Sequence, residues 1–284
     1  MRFHEEPGVH LDLVGPHGVL ARFAYGADAP KPAWTHLATL GGDPFTLHRP
    51  FDHLHHRGMM LAWSDLNGFN FWEEDRGPRI SGRIVWRRWL DRAAGPADAR
   101  AAADLDWVDP AGRPLLHQRL AFGGTLLAGG AWLFRVETVL TARDRPVRFA
   151  TPPQYNGLGL RLARSLQVRS RILNSVGGVG EQGTCGVPAA WCDYSGYLDG
   201  GAGEAGVTVF SHPGNDPRPV PFFTLSQDMA FIGAAPTYAR ERLLAPGEAW
   251  SLAYGVVAHT GTPGAEECAA WGEEYAQGGS LLVP

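Results

Sequence analysis

Lysine is almost absent from this chain of 284 residues, and the arginines do not make the chain strongly basic. Lys31 is the only lysine, and the formal net charge at pH 7 is −4. Binding to nucleic-acid phosphates requires a basic face. The charge therefore predicts no nucleic-acid partner. We interpret the preference for arginine as a bias of a GC-rich coding sequence.

Cysteines and long apolar runs are also scarce. The three cysteines, Cys185, Cys192 and Cys268, have no metal-ligand spacing, and their odd number without a signal sequence indicates reduced thiols. A long uncharged run near a predicted strand, residues 120–134, contains four glycines and is shorter than the ~20 apolar residues of a membrane span. Residues 1–8 lack the apolar core of a signal peptide. We therefore expect a soluble, cytoplasmic protein with no membrane partner.

Glycine and proline are plentiful, and they separate segments that alternate between apolar and polar residues. The chain has 37 glycines and 22 prolines, which is typical of a turn-rich β protein. Alternation predicts an opening hairpin over residues 9–25 and strands near 80–90, 102–108, 114–122 and 132–141. Further strands are expected near 157–162, 207–211, 222–225, 229–234 and 250–259. The fold class that follows is an all-β, large antiparallel β-sandwich, of the extended kind seen in sugar mutarotases.

Two segments depart from the strand pattern. Residues 90–103 are rich in alanine and charge, and we expect them to form an exposed loop. Near the end of the chain, Thr262 is a helix-capping residue, and Pro263 suits a first helical turn. A terminal helix is therefore predicted at about 263–277, within a single domain spanning residues 1–284.

The most informative motif is a cluster of histidines. Residues 52–57 read Asp-His-Leu-His-His-Arg, so three of the eleven histidines lie within four positions. Protonated imidazoles repel one another, so such a cluster is more typical of a site than of plain scaffold. If the segment is extended, His53 and His55 point to one face, and His56 points to the other unless a bulge redirects it.

Two chemistries fit this cluster. One is a metal centre with a divalent transition metal, for which His53, His55 and the distant His212 are candidate ligands. The carboxylate spacing of a cupin-type site is missing, so we favour no metal. The other is an acid/base pocket, in which a neutral imidazole accepts a proton, a protonated one donates it, and Arg57 binds a polarised oxygen.

Aromatic and hydrogen-bonding residues around the cluster favour a sugar as ligand, because sugar rings stack on flat apolar walls. Asp65 and Asn67 lie in a predicted turn, where Asp65 is a candidate to orient a histidine. Arg161 follows a glycine-spaced strand that either leaves room for a ligand or packs tightly. The predicted catalytic residues are His53, His55, His56 and Asp193, and the predicted substrate-binding residues are His36, Arg57, Asp65, Asn67, Trp72, Arg161, Trp191, Tyr194, His212 and Asn215.

These motifs resemble a bacterial family labelled "methane oxygenase PmoA-like". The resemblance rests on residues 52–58 and 65–72, with supporting matches at 32–40, at 157–161 and from Trp191 to Asn215. Members of that family often accompany sugar-catabolic dehydrogenases, so the resemblance implies carbohydrate metabolism by association.

The sequence thus predicts an enzyme that acts on a sugar or an oxidised sugar by histidine-based acid/base chemistry, of the lyase, isomerase or hydrolase type. Its partner would be a small-molecule carbohydrate. Two alternatives remain, a metal-dependent enzyme that uses the histidine cluster and a non-catalytic carbohydrate-binding protein. No feature of the sequence predicts an oligomeric state.

Overall fold

The computed structural model describes residues 1–74, 79–151, 155–200 and 203–282. A first antiparallel sheet has eight strands in the order β1-β2-β3-β4-β5-β11-β16-β15. Its strands are β1 (Arg2–Glu6), β2 (His10–Gly15), β3 (Gly18–Ala24), β4 (Ala33–Leu37), β5 (Met59–Trp63), β11 (Asn156–Arg161), β16 (Phe231–Ala234) and β15 (Phe222–Leu225).

The second antiparallel sheet also has eight strands, in the order β12-β13-β14-β18-β9-β8-β7-β6. They are β12 (Arg171–Asn174), β13 (Trp191–Tyr197), β14 (Glu204–Ser211), β18 (Ala249–Thr260), β9 (Trp132–Ala142), β8 (Pro114–Leu126), β7 (Asp98–Val108) and β6 (Arg83–Ala94). A separate pair joins β10 (Val147–Phe149) to β17 (Arg242–Leu244). The α-helices among the described residues are α1 (Ser165–Val168), α2 (Gly180–Thr184) and α3 (Ala265–Gln277).

The two sheets pack face to face through large aromatic side chains. Trp34 of β4 contacts Phe122 of β8 with ring centroids 5.5 Å apart. Trp63 of β5 contacts Trp107 of β7 at 5.8 Å. Each strand contributes alternate residues to this core, because successive side chains point to opposite faces of a sheet. The all-β antiparallel sandwich and its C-terminal helix are therefore confirmed.

One predicted loop is a β-hairpin. Residues 90–103 continue β6 to Ala94 and begin β7 at Asp98. Arg100 pairs with Asp91 across this hairpin at 3.0 Å. Opposite charges on facing strands stabilise a solvent-exposed pair, so the charge that suggested a loop belongs to the outer face of two strands. The loop prediction was wrong here.

Alternate residues of β11 distinguish the two faces of the first sheet. Leu158 and Leu160 point into the core between the sheets. Gly157, Gly159 and Arg161 therefore point to the outer face. A second, smaller apolar cluster lies on that face and includes Trp72 and Phe231. The candidate site is built around this outer cluster.

None of the helices within the described residues combines the length and apolar composition that crossing a membrane requires.

Candidate functional site

The histidine cluster lies in a turn that is tied to β11. The backbone amide of His53 donates to the carbonyl of Pro50 at 3.1 Å, and that of His56 donates to His53 at 2.9 Å. The amide of Arg161 donates to the carbonyl of Gly58 at 2.8 Å, which fastens the turn to the sheet. The segment is not extended, so the period-two geometry considered for its histidines does not apply, because these turn hydrogen bonds replace a strand ladder.

The turn brings all three histidine rings to one cavity, so His56 does not point away from the others. The ring centroids of His53 and His56 are 4.8 Å apart with the planes nearly parallel. His55 meets His56 edge-on at 4.5 Å. The cavity has a volume of about 130 Å³, and its lining residues are His53, His55, His56, Trp72, Glu73, Tyr155, Phe223, Leu225, Met229 and Phe231. Pockets for drug-sized ligands measure ~300–1,000 Å³, so this one suits a small molecule or one end of a larger one.

Gly159 lies beneath two aromatic walls of the cavity. A Cβ atom at this position would lie 2.6 Å from the ring of Trp72 and 2.8 Å from the ring of Phe231. Both rings therefore rest directly on the backbone of β11. Of the two interpretations of the glycine-spaced strand, tight packing holds at Gly159, and the two rings that it supports line the candidate cavity.

Asp52 holds His53 in a defined orientation. Its Oδ2 accepts a hydrogen bond from Nδ1 of His53 at 3.1 Å and another from Nη2 of Arg161 at 2.6 Å. Burial opposes ionisation of Asp52, but the hydrogen bonds from Arg161 and His53 outweigh it and hold its pKa well below the usual range. An ionised carboxylate only accepts hydrogen bonds. Nδ1 of His53 therefore carries a proton, and in the neutral ring Nε2 has the free lone pair.

Arg161 is a supporting residue and does not line the cavity. Its side chain is 2% exposed, and Nη1 lies 3.4 Å from Nδ1 of His56 and 3.0 Å from the sulfur of Met229. The predicted substrate contact of Arg161 is therefore replaced by contacts that fix Asp52 and His56.

Glu73 is a functional candidate that sequence reasoning missed. Its carboxylate accepts a hydrogen bond from Nδ2 of the fully buried Asn70 at 2.8 Å. Oδ1 of Asn70 in turn accepts the backbone amides of Trp72 and Glu73. These bonds place a carboxylate in the same cavity as the histidines. Because Glu73 directly follows Trp72, which was a predicted substrate-binding residue, its position in the sequence could have identified it as a candidate.

A buried ionic cluster lies behind Trp72 and Glu73. Nζ of Lys31 donates to the carbonyl of Trp72 at 2.7 Å and to Oε1 of Glu74 at 3.0 Å. Arg57 binds both carboxylate oxygens of Glu74 at 2.6 and 3.1 Å. Burial lowers the pKa of Lys31 to about 8, although the charge of Glu74 opposes the shift. Arg57 thus holds Glu74 in place and does not line this cavity.

Asp193 lies on the other side of the sandwich. On β13 the residues Cys192 and Tyr194 face the core between the sheets, so Trp191 and Asp193 face α3. Asp193 is fully buried and accepts hydrogen bonds from Ser195 at 2.5 Å, Thr208 at 2.9 Å and His259 at 2.9 Å. The structure therefore does not bring Asp193, Trp191 or Tyr194 to the histidine cavity.

His212 and Asn215 also lie away from the cavity. His212 packs edge-on against Tyr275 of α3, with centroids 5.7 Å apart. Asn215 accepts the amide of Ala253 at 2.7 Å and donates to its carbonyl at 2.8 Å, so it imitates a strand partner of β18. His212 therefore packs against α3, and Asn215 bonds to a strand of the second sheet.

Three further predicted residues have local partners. His36 donates through Nε2 to the carbonyl of Val19 at 3.1 Å. Asp65 accepts the amide of Gly68 at 2.9 Å, as a turn residue does. Asn67 donates to the carbonyl of Pro146 at 2.9 Å. None of the three lines the histidine cavity.

The proposed metal ligands are not assembled. Within the part of the chain that the structure describes, no three His, Cys, Asp or Glu side chains form a group that could hold a metal ion. His212 is separated from His53 and His55 because it lies against α3. The residues present therefore do not fit the ligand set suggested by the sequence, and the metal-dependent alternative stays a hypothesis.

Comparison with known proteins gives a family. The family model described as "Family of unknown function (DUF6807)" matches residues 12–272. The chain belongs to this family. No curated protein matches it in sequence. The resemblance to a PmoA-like family stays a prediction.

Solved structures give only distant likenesses. Galactose 1-epimerase from Lactobacillus acidophilus NCFM is 10% identical with a TM-score of 0.39, and the match covers 91% of this chain and 94% of that one. A GalM/aldose epimerase homologue from C. elegans is 7% identical with a TM-score of 0.40, and the match covers 92% of this chain and 99% of that one. The fold assigned above rests on the two sheets themselves.

Proposed function

We propose that this protein is an enzyme that transfers protons on a small sugar or oxidised sugar, with His53 as the base. The observation that carries the proposal is the contact between Asp52 and His53, at 3.1 Å. It supports the neutral tautomer with its proton on Nδ1, in which Nε2 would accept a proton in a cavity that also holds His55 and Glu73. Isomerase or lyase chemistry at a C–H bond fits best, because such reactions begin with removal of a proton from a sugar carbon.

Proton transfer requires a second group in the same cavity. His53 takes a proton from the substrate, and His55 in its protonated form or Glu73 as a carboxylic acid returns one at a second position. Asn70 fixes the carboxylate of Glu73 by a 2.8 Å hydrogen bond. The proton acceptor His53 and the candidate proton donor Glu73 are therefore held by separate segments of the chain. General acid–base catalysis of this kind contributes ~10²–10⁴-fold to a rate.

The apolar lining supports a sugar as the substrate. Trp72 and Tyr155 lie nearly parallel with centroids 6.2 Å apart, and Phe223 meets Phe231 at 5.7 Å. Flat rings bind the C–H faces of a sugar, whereas Glu73 and the imidazoles bind hydroxyl groups.

The test is exchange of substrate hydrogen for solvent deuterium, followed by proton NMR across a panel of monosaccharides and sugar acids. This readout detects abstraction of a proton from a carbon atom of the substrate even where the product is unknown. Wild-type protein should exchange one substrate hydrogen, and His53→Ala should lower that rate by at least ~100-fold. His17→Ala is the matched control, since His17 is exposed on the turn between β2 and β3. Equal exchange rates in wild type and His53→Ala would contradict the assignment of His53.

A non-catalytic carbohydrate-binding protein is the second candidate. The observation that favours it is the wall of Trp72, Tyr155, Phe223 and Phe231, which would bind a sugar without any reaction. Saturable binding in titration calorimetry, with no deuterium exchange for the same sugar, would select this function over catalysis.

A further inference from the structure

His56 is the most deeply enclosed of the three clustered histidines. Its side chain is 5% exposed. It stacks on His53 and packs against Phe231 with centroids 5.5 Å apart. Among the described residues, its ring makes one hydrogen bond, through Nδ1 to Nη1 of Arg161 at 3.4 Å.

The partner of Nδ1 defines the tautomer. A guanidinium group has five donors and no acceptor, so Nδ1 of His56 is the acceptor and carries no proton. Nη2 of the same guanidinium binds Asp52 at 2.6 Å, which fixes the arginine in this orientation. The ring proton of neutral His56 consequently lies on Nε2, at the edge of the ring away from Arg161.

We infer that His56 is a neutral hydrogen-bond donor that binds, through Nε2–H, the substrate oxygen that gains negative charge when His53 removes a proton. This inference rests on the proposed function, because it needs a proton to be removed in this cavity. His53 and His56 would then have opposite roles, since the first accepts a proton and the second keeps its own.

The surroundings keep His56 uncharged. Burial lowers its pKa to about 2, and His55, His53, Arg161 and Lys31 add to the shift by charge repulsion. The carboxylate of Asp52 is engaged by Arg161 and by His53, so its charge is already paired. Phe231 packs against the ring of His56 and carries no charge, and the uncharged Met229 lies next to Arg161.

A neutral donor is chemically suited to this role. An imidazole that cannot become imidazolium polarises a carbonyl without protonating it and does not compete with the base for the proton. Donors that are fixed in place before the reaction stabilise developing charge without reorganisation, and loss of one such donor costs ~10²–10³ in kcat.

The first test reads the tautomer directly in wild-type protein without substrate. Nitrogen-15 NMR, with the His56 signals assigned by their loss in His56→Gln, should show a protonated Nε2 and an unprotonated Nδ1 that stay unchanged from pH 5 to pH 9. Titration of His56 within this range, or a proton on Nδ1, would overturn the inference. Neither result depends on knowing the substrate, so this test is independent of the proposed function.

The second test compares two replacements in the deuterium-exchange assay. His56→Gln keeps an N–H donor near the position of Nε2, whereas His56→Ala removes it. We expect His56→Ala to lower kcat by ~10²–10³-fold and His56→Gln to lower it less, with KM and the shape of the pH profile little changed in both. Loss of one limb of the pH profile in either variant would overturn the donor role, because it would make His56 a proton carrier. If no sugar exchanges deuterium in wild type, the proposed function fails, and the NMR result still decides the state of His56.

Discussion

The carboxylate of Asp52 accepts a hydrogen bond from Nδ1 of His53 at 3.1 Å, and Arg161 holds the same oxygen at 2.6 Å. This contact fixes which nitrogen of His53 is basic. Replacing Asp52 with Asn puts an amide donor in reach of His53 and lets the ring take the other tautomer. We expect Asp52→Asn to reduce deuterium exchange by ~100-fold or more, with little change in sugar binding measured by calorimetry.

Arg164 supplies the control for this variant. Its Nη2 lies 3.4 Å from the other oxygen of Asp52, and its side chain is 51% exposed. Exposed ion pairs contribute ~0–1 kcal/mol, so Arg164→Gln should leave both exchange and binding close to wild type. A similar loss of exchange in both variants would mean that Asp52 acts through general charge and does not set the tautomer of His53.

Gly159 offers a test of the cavity walls. A methyl group there would lie 2.6 Å from Trp72 and 2.8 Å from Phe231, so one or both rings must move. We expect Gly159→Ala to destabilise the fold by ~1–3 kcal/mol in thermal unfolding and to weaken sugar binding. Gly279→Ala is the matched control, because a Cβ atom at Gly279 meets nothing within 4 Å. Unchanged binding in Gly159→Ala would show that these walls do not contact the ligand.

Asp193 should matter for stability and not for turnover. It is fully buried and accepts three side-chain hydrogen bonds, from Ser195, Thr208 and His259. Asp193→Asn turns one acceptor oxygen into a donor and leaves at least one of these groups unsatisfied, at ~1–3 kcal/mol. Thermal unfolding should detect this loss, while deuterium exchange per folded molecule stays at the wild-type rate. Wild-type stability combined with lost exchange would restore Asp193 as a catalytic residue.

The strand pattern was predictable from sequence because sheet burial has a period of two. β9 alternates over most of its length, and the first residues of β18 have the same signal. The segments that were missed are short or uniformly buried, such as β5, whose five residues are all buried and show no alternation. The face of β13 that meets α3 was equally hidden, since nothing local tells an outer face covered by a helix from one open to a ligand.

The candidate site was predictable only where its residues are close together in sequence. The histidines and Trp72 lie within one dense stretch, and the structure brings them to one cavity. Phe223 and Phe231 come from a hairpin more than a hundred residues later, and ordinary apolar residues on a strand carry no mark of a ligand site. Arg161 was singled out as a substrate contact, but its partners Asp52 and His56 depend on a turn conformation that the strand period could not predict.

Lys31 makes stability depend on pH in a direction that can be worked out. Its pKa is about 8 in the folded chain against 10.5 for a free lysine, so between these values the unfolded chain binds more protons. The free energy of unfolding should therefore rise with pH in this window, by up to ~1.4 kcal/mol per unit from this group. Below pH 8 both states are protonated, and the full cost of burying the charge remains.

Urea unfolding of wild type, Lys31→Met and Lys31→Arg from pH 7.5 to pH 9.5 isolates the effect, since neither replacement titrates there. The wild-type slope should exceed both variant slopes, and Lys31→Arg controls for the loss of charge. Three equal slopes would contradict a lowered pKa at Lys31.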